Sequence, residues 1–273
     1  MDSQFKVWQT AKEAFSLVNH DLKAWMKVLS LPVLIMIITA LLGFVGENFG
    51  NVSDGLTEEE PTLLEIITTV IGRVGDILAT ILFAVNGFRY AMYQEGGEKW
   101  FQWGFLSIAR RVLGYYIVII FMLLPVVGAG AMAFVFASET DLLGLARVLG
   151  GLAVIATLYL CVRLFFVIPF VVIGHEKPIR SSFHDSKNNV MRLTGLYILL
   201  KLIFTIPIGL FFMAVGLIAF TEINEFFIIA PSLAMVFIMA YGEAIVMTAT
   251  ILAYKKIAGK SAPAFNGLMS HSL

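Results

Sequence analysis

The sequence predicts an all-α integral membrane protein, a six-span helical bundle with amphipathic elbow helices at its cytoplasmic side. Two observations indicate this class. Hydrophobic residues make up 59% of the 273 residues and charged residues 14%, against roughly 45–50% and 25% in soluble domains. Six separate stretches are apolar over the about 20 residues that a helix needs to cross a bilayer. We therefore expect a single transmembrane domain over residues 1–260 and a disordered tail over 261–273.

The predicted spans are joined by short loops. They lie at about 26–45, 68–92, 112–136, 147–173, 196–220 and 227–253. The first span follows a long amphipathic leader, and no small-residue cleavage site comes after it. It is therefore expected to remain as a span rather than to be removed as a signal peptide.

The loops carry charge asymmetrically. Lysine and arginine occur in the leader, in the loops after spans two and four, and after span six: Lys6, Lys12, Lys23, Lys27, Lys99, Arg110, Arg111, Lys177, Arg180, Lys187, Arg192, Lys255, Lys256 and Lys260. The opposite loops, about 46–67, 137–146 and 221–226, contain neither residue and are acidic. Because basic loops stay in the cytoplasm, both termini are predicted to be cytoplasmic.

Each cytoplasmic segment before an outgoing span has helical apolar spacing. The predicted apolar faces are Ala11, Phe15, Val18, Leu22 and Trp25 in the leader, Phe101, Phe105, Ile108 and Val112 in the second elbow, and Ile179, Phe183, Val190 and Met191 in the third. These segments are expected to lie at the inner interface. They either fix where each span begins or form a surface that senses anionic lipid or docks a partner.

Two elbows share a sequence pattern, which predicts an internal hairpin repeat. Gly96-Gly-Glu-Lys99 matches Gly174-His-Glu-Lys177, and Arg111-x-x-Gly-x-Tyr-Ile117 matches Arg192-x-x-Gly-x-Tyr-Ile198. Spans two and three would then repeat as spans four and five. The sixth span with the leader and first span would form a third copy.

Ionisable residues inside spans are costly and mark candidate sites. Arg163 and Glu243 each lie about eleven residues from the cytoplasmic end of their span, which places them at one depth. The expected Arg163–Glu243 pair is either a gate or substrate contact, or a pin that fixes helix register.

The second span carries a polar stripe of its own. Arg73 and Asp76 are three residues apart and are expected to pair. Asn86 lies lower on the same helix. With Asp76 it either lines a water-filled path or makes interhelical hydrogen bonds.

Three histidines each stand beside a carboxylate, at His20-Asp21, His175-Glu176 and His184-Asp185. Adjacent helical residues point about 100° apart, so no such pair is a ready-made catalytic dyad. The histidines are either metal ligands or bases that converge from separate elbows, or solvated interfacial residues. The single cysteine, Cys161, lies in an apolar run and is expected to serve packing.

Catalytic and cofactor signatures are missing from the sequence. It contains no phosphate-binding glycine loop, helical zinc motif or nucleophile elbow, and no soluble segment long enough to fold alone. We expect no enzyme activity, no metal and no cofactor. A formal net charge of zero also argues against a nucleic-acid partner.

A stretch around the fourth and fifth spans resembles a known family. Arg163-Leu-Phe-Phe-Val-Ile-Pro169, Pro178 and Ser182-Phe-His-Asp-Ser186 follow the layout of YciC-like bacterial membrane proteins and of the membrane domain attached to some glycerophosphodiester phosphodiesterases. In that layout an arginine and a proline end one span, and a small residue and a serine four apart precede the next. Ser182 stands where alanine is usual. The resemblance implies a bacterial inner-membrane protein without hydrolase activity, since the phosphodiesterase's catalytic barrel is missing.

The predicted function is a non-catalytic role in the bacterial inner membrane, as a scaffold or in transport, connected with lipid or envelope upkeep. Expected partners are membrane lipids and a membrane protein or a second copy of the chain. One alternative is a solute or ion transporter or channel with its polar site at Arg163, Glu243 and Asp76. A second is an intramembrane enzyme that acts on lipid headgroups through His20, His175 and His184.

Overall fold

The computed structural model describes residues 6–50, 63–93, 105–139, 143–219 and 226–258, and every element in them is helical. The α-helices are α1 (Val7–His20), α2 (Leu22–Gly50), α3 (Leu63–Tyr93), α4 (Phe105–Glu139), α5 (Leu143–Arg163), α6 (Val167–Val172), α7 (Pro178–Ser186), α8 (Val190–Ala219) and α9 (Phe226–Ala258). A 3-10 turn, Lys187–Asn189, joins α7 to α8. The predicted all-α class is confirmed.

The six predicted spans are confirmed as helices that are long and apolar enough to cross a membrane. They cover Leu22–Leu42, Ile66–Tyr93, Leu106–Met132, Val148–Val172, Pro178–Phe211 and Ala234–Ile257. The chain is therefore a multi-pass membrane protein. The fourth span consists of two helices, because α5 ends at Arg163 and α6 starts at Val167.

The core lies at one end of the bundle, which we call the elbow end, where α1, α7 and the last turns of α9 meet. The sixth span is the most buried of the six, and α9 packs against α1, α2, α3 and α8. Fully buried side chains here include Phe166, Phe170, Leu193, Leu196 and Ile245. The third span, on α4, is the least buried. The bundle is thus built around α9, with α4 at its periphery.

The leader forms the predicted amphipathic helix, α1, which lies across α9 and α8. It buries Thr10, Ala11, Ala14 and Val18. At one end Lys256 of α9 forms a salt bridge with Glu13 and donates to the Thr10 hydroxyl over 3.1 Å. At the other end Tyr241 donates to the Asn19 side-chain oxygen over 2.8 Å. These contacts attach the two ends of α1 to two separate positions on α9, Lys256 and Tyr241.

The third elbow divides its predicted apolar residues between the core and the outside of the bundle. Ile179, Phe183 and Val190 pack against the core, and Met191 is 84% exposed. The buried residues of α7 are Pro178, Ser182 and Ser186. In the leader, Leu22 is 42% exposed. An elbow helix at a membrane interface turns part of its apolar face toward lipid, so this exposure does not contradict the predicted faces.

The hairpin repeat stays a prediction, since Gly96–Lys99 lies outside the described residues. Where both copies are described, they agree in one respect. The residue after each matched arginine, Val112 and Leu193, is completely buried. Most of the second elbow, much of the three acidic loops, and the tail 261–273 also lie outside the described ranges.

Helices α2 and α3 approach closely at Gly75. A Cβ added to Gly75 would overlap the Thr39 methyl group on α2, whereas one added to Gly72 would meet nothing within 4 Å. We expect Gly75→Leu to lower the free energy of unfolding by about 1–3 kcal/mol through overpacking. Gly72→Leu is the matched control, because both changes gain the same helix propensity. Thermal unfolding in detergent measures both, and equal stability of the two variants would contradict this packing.

Candidate polar site at the helix break

The break in the fourth span follows from Pro169. Proline has no backbone N–H, and its ring clashes with the carbonyl four residues earlier, here that of Phe165. The backbone around it tightens, with Phe165 N–H bonded to the Val162 carbonyl over 3.3 Å and Val167 N–H to the Leu164 carbonyl over 2.9 Å. These three-residue bonds replace the regular four-residue helical bonds. As a result the Phe166 N–H and the Arg163 carbonyl need partners elsewhere.

Ser182 of α7 supplies both partners. Its hydroxyl accepts from the Phe166 N–H over 3.2 Å and donates to the Arg163 carbonyl over 2.7 Å. A hydroxyl can donate once and accept as well, so one side chain bridges the break. Ser182 is fully buried, and Ser186 donates to the Ser182 carbonyl over 2.6 Å. The elbow helix therefore holds the broken span in its bent form.

The turn that brings α7 back along α6 depends on two residues that are visible in the sequence. Gly174 has a φ of +82°, in the left-handed region that glycine adopts without strain. His175 donates its N–H to the Phe170 carbonyl over 2.8 Å. Pro178 then occupies the first turn of α7, where its missing N–H costs nothing.

Arg163 ends α5 beside this bridge and is half-buried. Its guanidinium carbon lies 4.9 Å from the ring centroid of Phe183 on α7 and 5.8 Å from that of Tyr159 on α5. Nε and Nη1 are buried without a hydrogen-bond partner. Aromatic faces attract the cation, so the two rings offset part of its desolvation cost.

The predicted Arg163–Glu243 pair is wrong. Glu243 instead faces Lys201 of α8, with 3.9 Å between Glu243 Oε1 and Lys201 Nζ, and the two side chains are 46% and 48% exposed. The prediction placed Arg163 and Glu243 at the same membrane depth by counting residues along each span. That count takes the fourth span as unbroken and says nothing of how each helix is rotated about its axis. The break and the returning α7 surround Arg163 with Phe183 and Ser182 rather than with α9.

The second-span residues form a separate contact. Arg73 does not pair with Asp76; Asp76 accepts from the Thr39 hydroxyl of α2 over 3.0 Å. The close approach at Gly75 brings this hydroxyl within reach. Arg73 is exposed and Asn86 half-buried. The five predicted polar residues thus do not share one cluster: the Thr39, Lys201 and Phe183 contacts lie between different pairs of helices.

The three histidines do not meet in one site. His20 is exposed at the end of α1, and His184 is exposed on α7. The His175 ring packs against that of Phe170 at a tilt of 44°, with 4.9 Å between ring centroids. Among the described residues no three His, Cys, Asp or Glu side chains are placed to hold a metal ion. A cavity of about 410 Å³ at the elbow end is lined by His175, Glu176, Arg111 and Tyr115 among others.

Several residues in these contacts were not recognised in the sequence. In the sequence, Ser182 stands out only as a departure from the family pattern, and no pattern singles out Lys201. The attachment of Lys256 to Glu13 joins residues 243 positions apart. The one local signal was the Ser182/Ser186 pair, since residues four apart share a helix face.

No family model, curated protein or solved structure matches the chain. The fold and the contacts define a six-span α-helical membrane protein with elbow helices attached to its spans. The resemblance to YciC-like proteins stays a prediction.

Proposed function

We propose that the chain is a non-catalytic scaffold protein of the bacterial inner membrane, with its elbow end in the cytoplasm and a role in lipid or envelope upkeep. The observation that carries this proposal is the attachment of α1 and α7 to the spans through Lys256 and Ser182. Elbows fixed in this way present a constant surface to the membrane interface. The lysine and arginine distribution and the resemblance to YciC-like proteins support the cytoplasmic side and the bacterial setting.

The contacts of the intramembrane polar groups also favour a scaffold. Asp76 is hydrogen-bonded to Thr39, Glu243 faces Lys201, and Arg163 lies against the Phe183 ring. Each of these contacts joins two helices, as interhelical polar contacts in membrane proteins commonly do. A solute site would instead need such groups to converge on one cavity.

The test compares two groups of variants in a strain that lacks the chain. We expect Lys12→Glu and Arg180→Glu, on exposed parts of α1 and α7, to lower complementation of the deletion phenotype by on the order of tenfold, because they reverse charge at the anionic membrane surface. Glu243→Gln should complement normally at equal protein level. Loss of function in Glu243→Gln with both elbow variants active would overturn the scaffold proposal.

A second candidate function is solute transport, favoured by the Lys201–Glu243 pair. Lys201 lies eleven residues into α8 and Glu243 fifteen residues before the end of α9, so both are roughly 16–22 Å from the elbow ends of their helices. A charged pair that is about half exposed at such depth is costly in lipid and less so along a water-filled crevice.

A charge-swap cycle separates the two candidates. Under the scaffold proposal, Lys201→Met and Glu243→Gln each lose about 0.5–2 kcal/mol of stability, the range of polar contacts between membrane helices. The double variant Lys201→Glu with Glu243→Lys should recover both stability and complementation. Recovered stability with lost complementation would mean that the charges themselves are used, and uptake assays in proteoliposomes would then identify the solute class.

A further inference from the structure

An apolar groove runs between α2 and α9 beside the end of α1. It has a volume of about 220 Å³ and is lined by Val18, Leu22, Trp25, Leu29, Tyr241 and Ala244 among others. Its rim residues Met26, Leu34 and Phe237 are 44–48% exposed. The groove therefore opens to the outside of the bundle, where the surrounding solvent is lipid.

Apart from the Trp25 indole N–H, the wall of the groove offers few polar side-chain groups to a ligand. Its two side-chain hydroxyls are already engaged, since Ser30 donates to the Lys27 carbonyl over 2.7 Å and Tyr241 to Asn19 over 2.8 Å. Such a wall suits a hydrocarbon chain. A partner helix is about 10–12 Å wide with its side chains, so several turns of it occupy far more than the about 220 Å³ of this groove.

The length of the groove fits one leaflet. Its lining on α2 extends from Leu22 to Ile37, which is roughly 22 Å at 1.5 Å per residue. Half of a bilayer, with its headgroup region included, is roughly 20–22 Å thick. A chain lying in the groove would therefore reach from the interface at the elbow end to the bilayer centre.

The elbow end of the groove is basic. Lys23 and Lys27 are exposed, lie one turn apart on α2, and neighbour the lining residues Met26 and Ser30. Asp21 is the acidic residue beside these two lysines in sequence, so the net charge of the three side chains is positive. This charge complements a lipid phosphate at the depth where a headgroup sits.

We propose that this groove binds one acyl chain of an anionic phospholipid whose phosphate is held by Lys23 and Lys27. The site requires only that the elbow end lies at a membrane interface. It does not depend on the scaffold proposal or on which side of the membrane that end faces. The lipid would occupy the space between α2 and α9 next to α1, and so would fix the leader against the bundle.

Trp25 provides a direct readout, because it lines the groove. The full chain carries Trp8→Phe, Trp100→Phe and Trp103→Phe, which leaves Trp25 as its one tryptophan, and is placed in phosphatidylcholine nanodiscs. Phosphatidylglycerol with brominated acyl chains is then added in increasing fraction. We expect saturable quenching of Trp25 at a mole fraction on the order of tenfold below that needed for brominated phosphatidylcholine. Equal quenching by the two lipids would mean ordinary surrounding lipid and would overturn the proposal.

Two variants separate the headgroup from the chain. Lys23→Gln with Lys27→Gln should remove the preference for phosphatidylglycerol, since each basic residue near a membrane surface contributes about fivefold. The control, Lys6→Gln with Lys12→Gln, removes the same amount of charge on the α1 side of the turn between α1 and α2. This control should keep the preference for phosphatidylglycerol. Ala240→Leu fills the groove from α9 and should abolish saturable quenching, whereas Ala234→Leu, at an exposed position of the same helix, should not.

The proposal remains testable if Ala240→Leu fails to fold. In that case the lysine variants alone test the proposal. Mass spectrometry then measures how much phosphatidylglycerol stays bound to each variant after detergent extraction. Retention that falls several-fold in Lys23→Gln with Lys27→Gln, and not in the α1 control, supports the site. Equal retention in both overturns it.

Discussion

Phe170→Ala is expected to cause the largest loss of stability of any substitution considered, because Phe170 joins three elements at the elbow end. Its ring is fully buried and lies 5.0 Å from that of Tyr254, 4.9 Å from that of His175 and 6.0 Å from that of Phe166 between centroids. Truncating a buried phenylalanine costs about 3–5 kcal/mol in soluble cores. Here the loss should fall toward the lower end, since lipid replaces water as the solvent of the separated helices.

The matched control is Phe121→Ala, which removes the same ring from a position on α4 that is 67% exposed. Thermal unfolding in detergent, followed by near-ultraviolet circular dichroism, should give a clearly lower midpoint for Phe170→Ala and a nearly unchanged one for Phe121→Ala. If the two midpoints coincide, the aromatic contacts between α6 and α9 do not stabilise the elbow end.

The spans and the elbows were predictable because their signals are local. A helix of about 20 apolar residues can be recognised from a window of sequence. The turn between α6 and α7 is indicated by Gly174 and Pro178, because glycine and proline favour particular backbone conformations at the ends and starts of helices. The leader helix is predictable for the same reason, since Ala11 and Val18 lie on one helical face. Each of these features depends on residues within a few turns of one another.

The pairing of polar residues was not predictable in this way. Depth along a span follows from counting residues, but the partner depends on which helices are adjacent and how each is rotated. Glu243 therefore faces Lys201 rather than Arg163. Arg163 in turn meets Phe183, twenty residues later in the chain, because the break at Pro169 and the turn at Gly174 bring α7 back beside it. Neither contact is indicated by a pattern of residues that are close together in the sequence.

Ser182 shows how a single hydroxyl becomes structural once a helix is broken. Ser182→Ala leaves the Phe166 N–H and the Arg163 carbonyl without the partner that bridges them. A buried group left unpaired costs about 1–3 kcal/mol, so we expect a loss in this range, and more if no rearrangement or water pairs the two groups. The matched control is Ser181→Ala, one position earlier on α7 and only half-buried, which should change stability by less than about 0.5 kcal/mol.

The same pair of variants tests whether α7 holds the bent span. Amide hydrogen exchange at Phe166 should become faster in Ser182→Ala, because its N–H loses the bond to the Ser182 hydroxyl, and should stay unchanged in Ser181→Ala. The substitution removes one hydroxyl and adds no bulk, so Ser182→Ala should still fold and insert. A variant with unaltered stability and unaltered exchange at Phe166 would mean that Pro169 and the surrounding packing hold the break without the elbow.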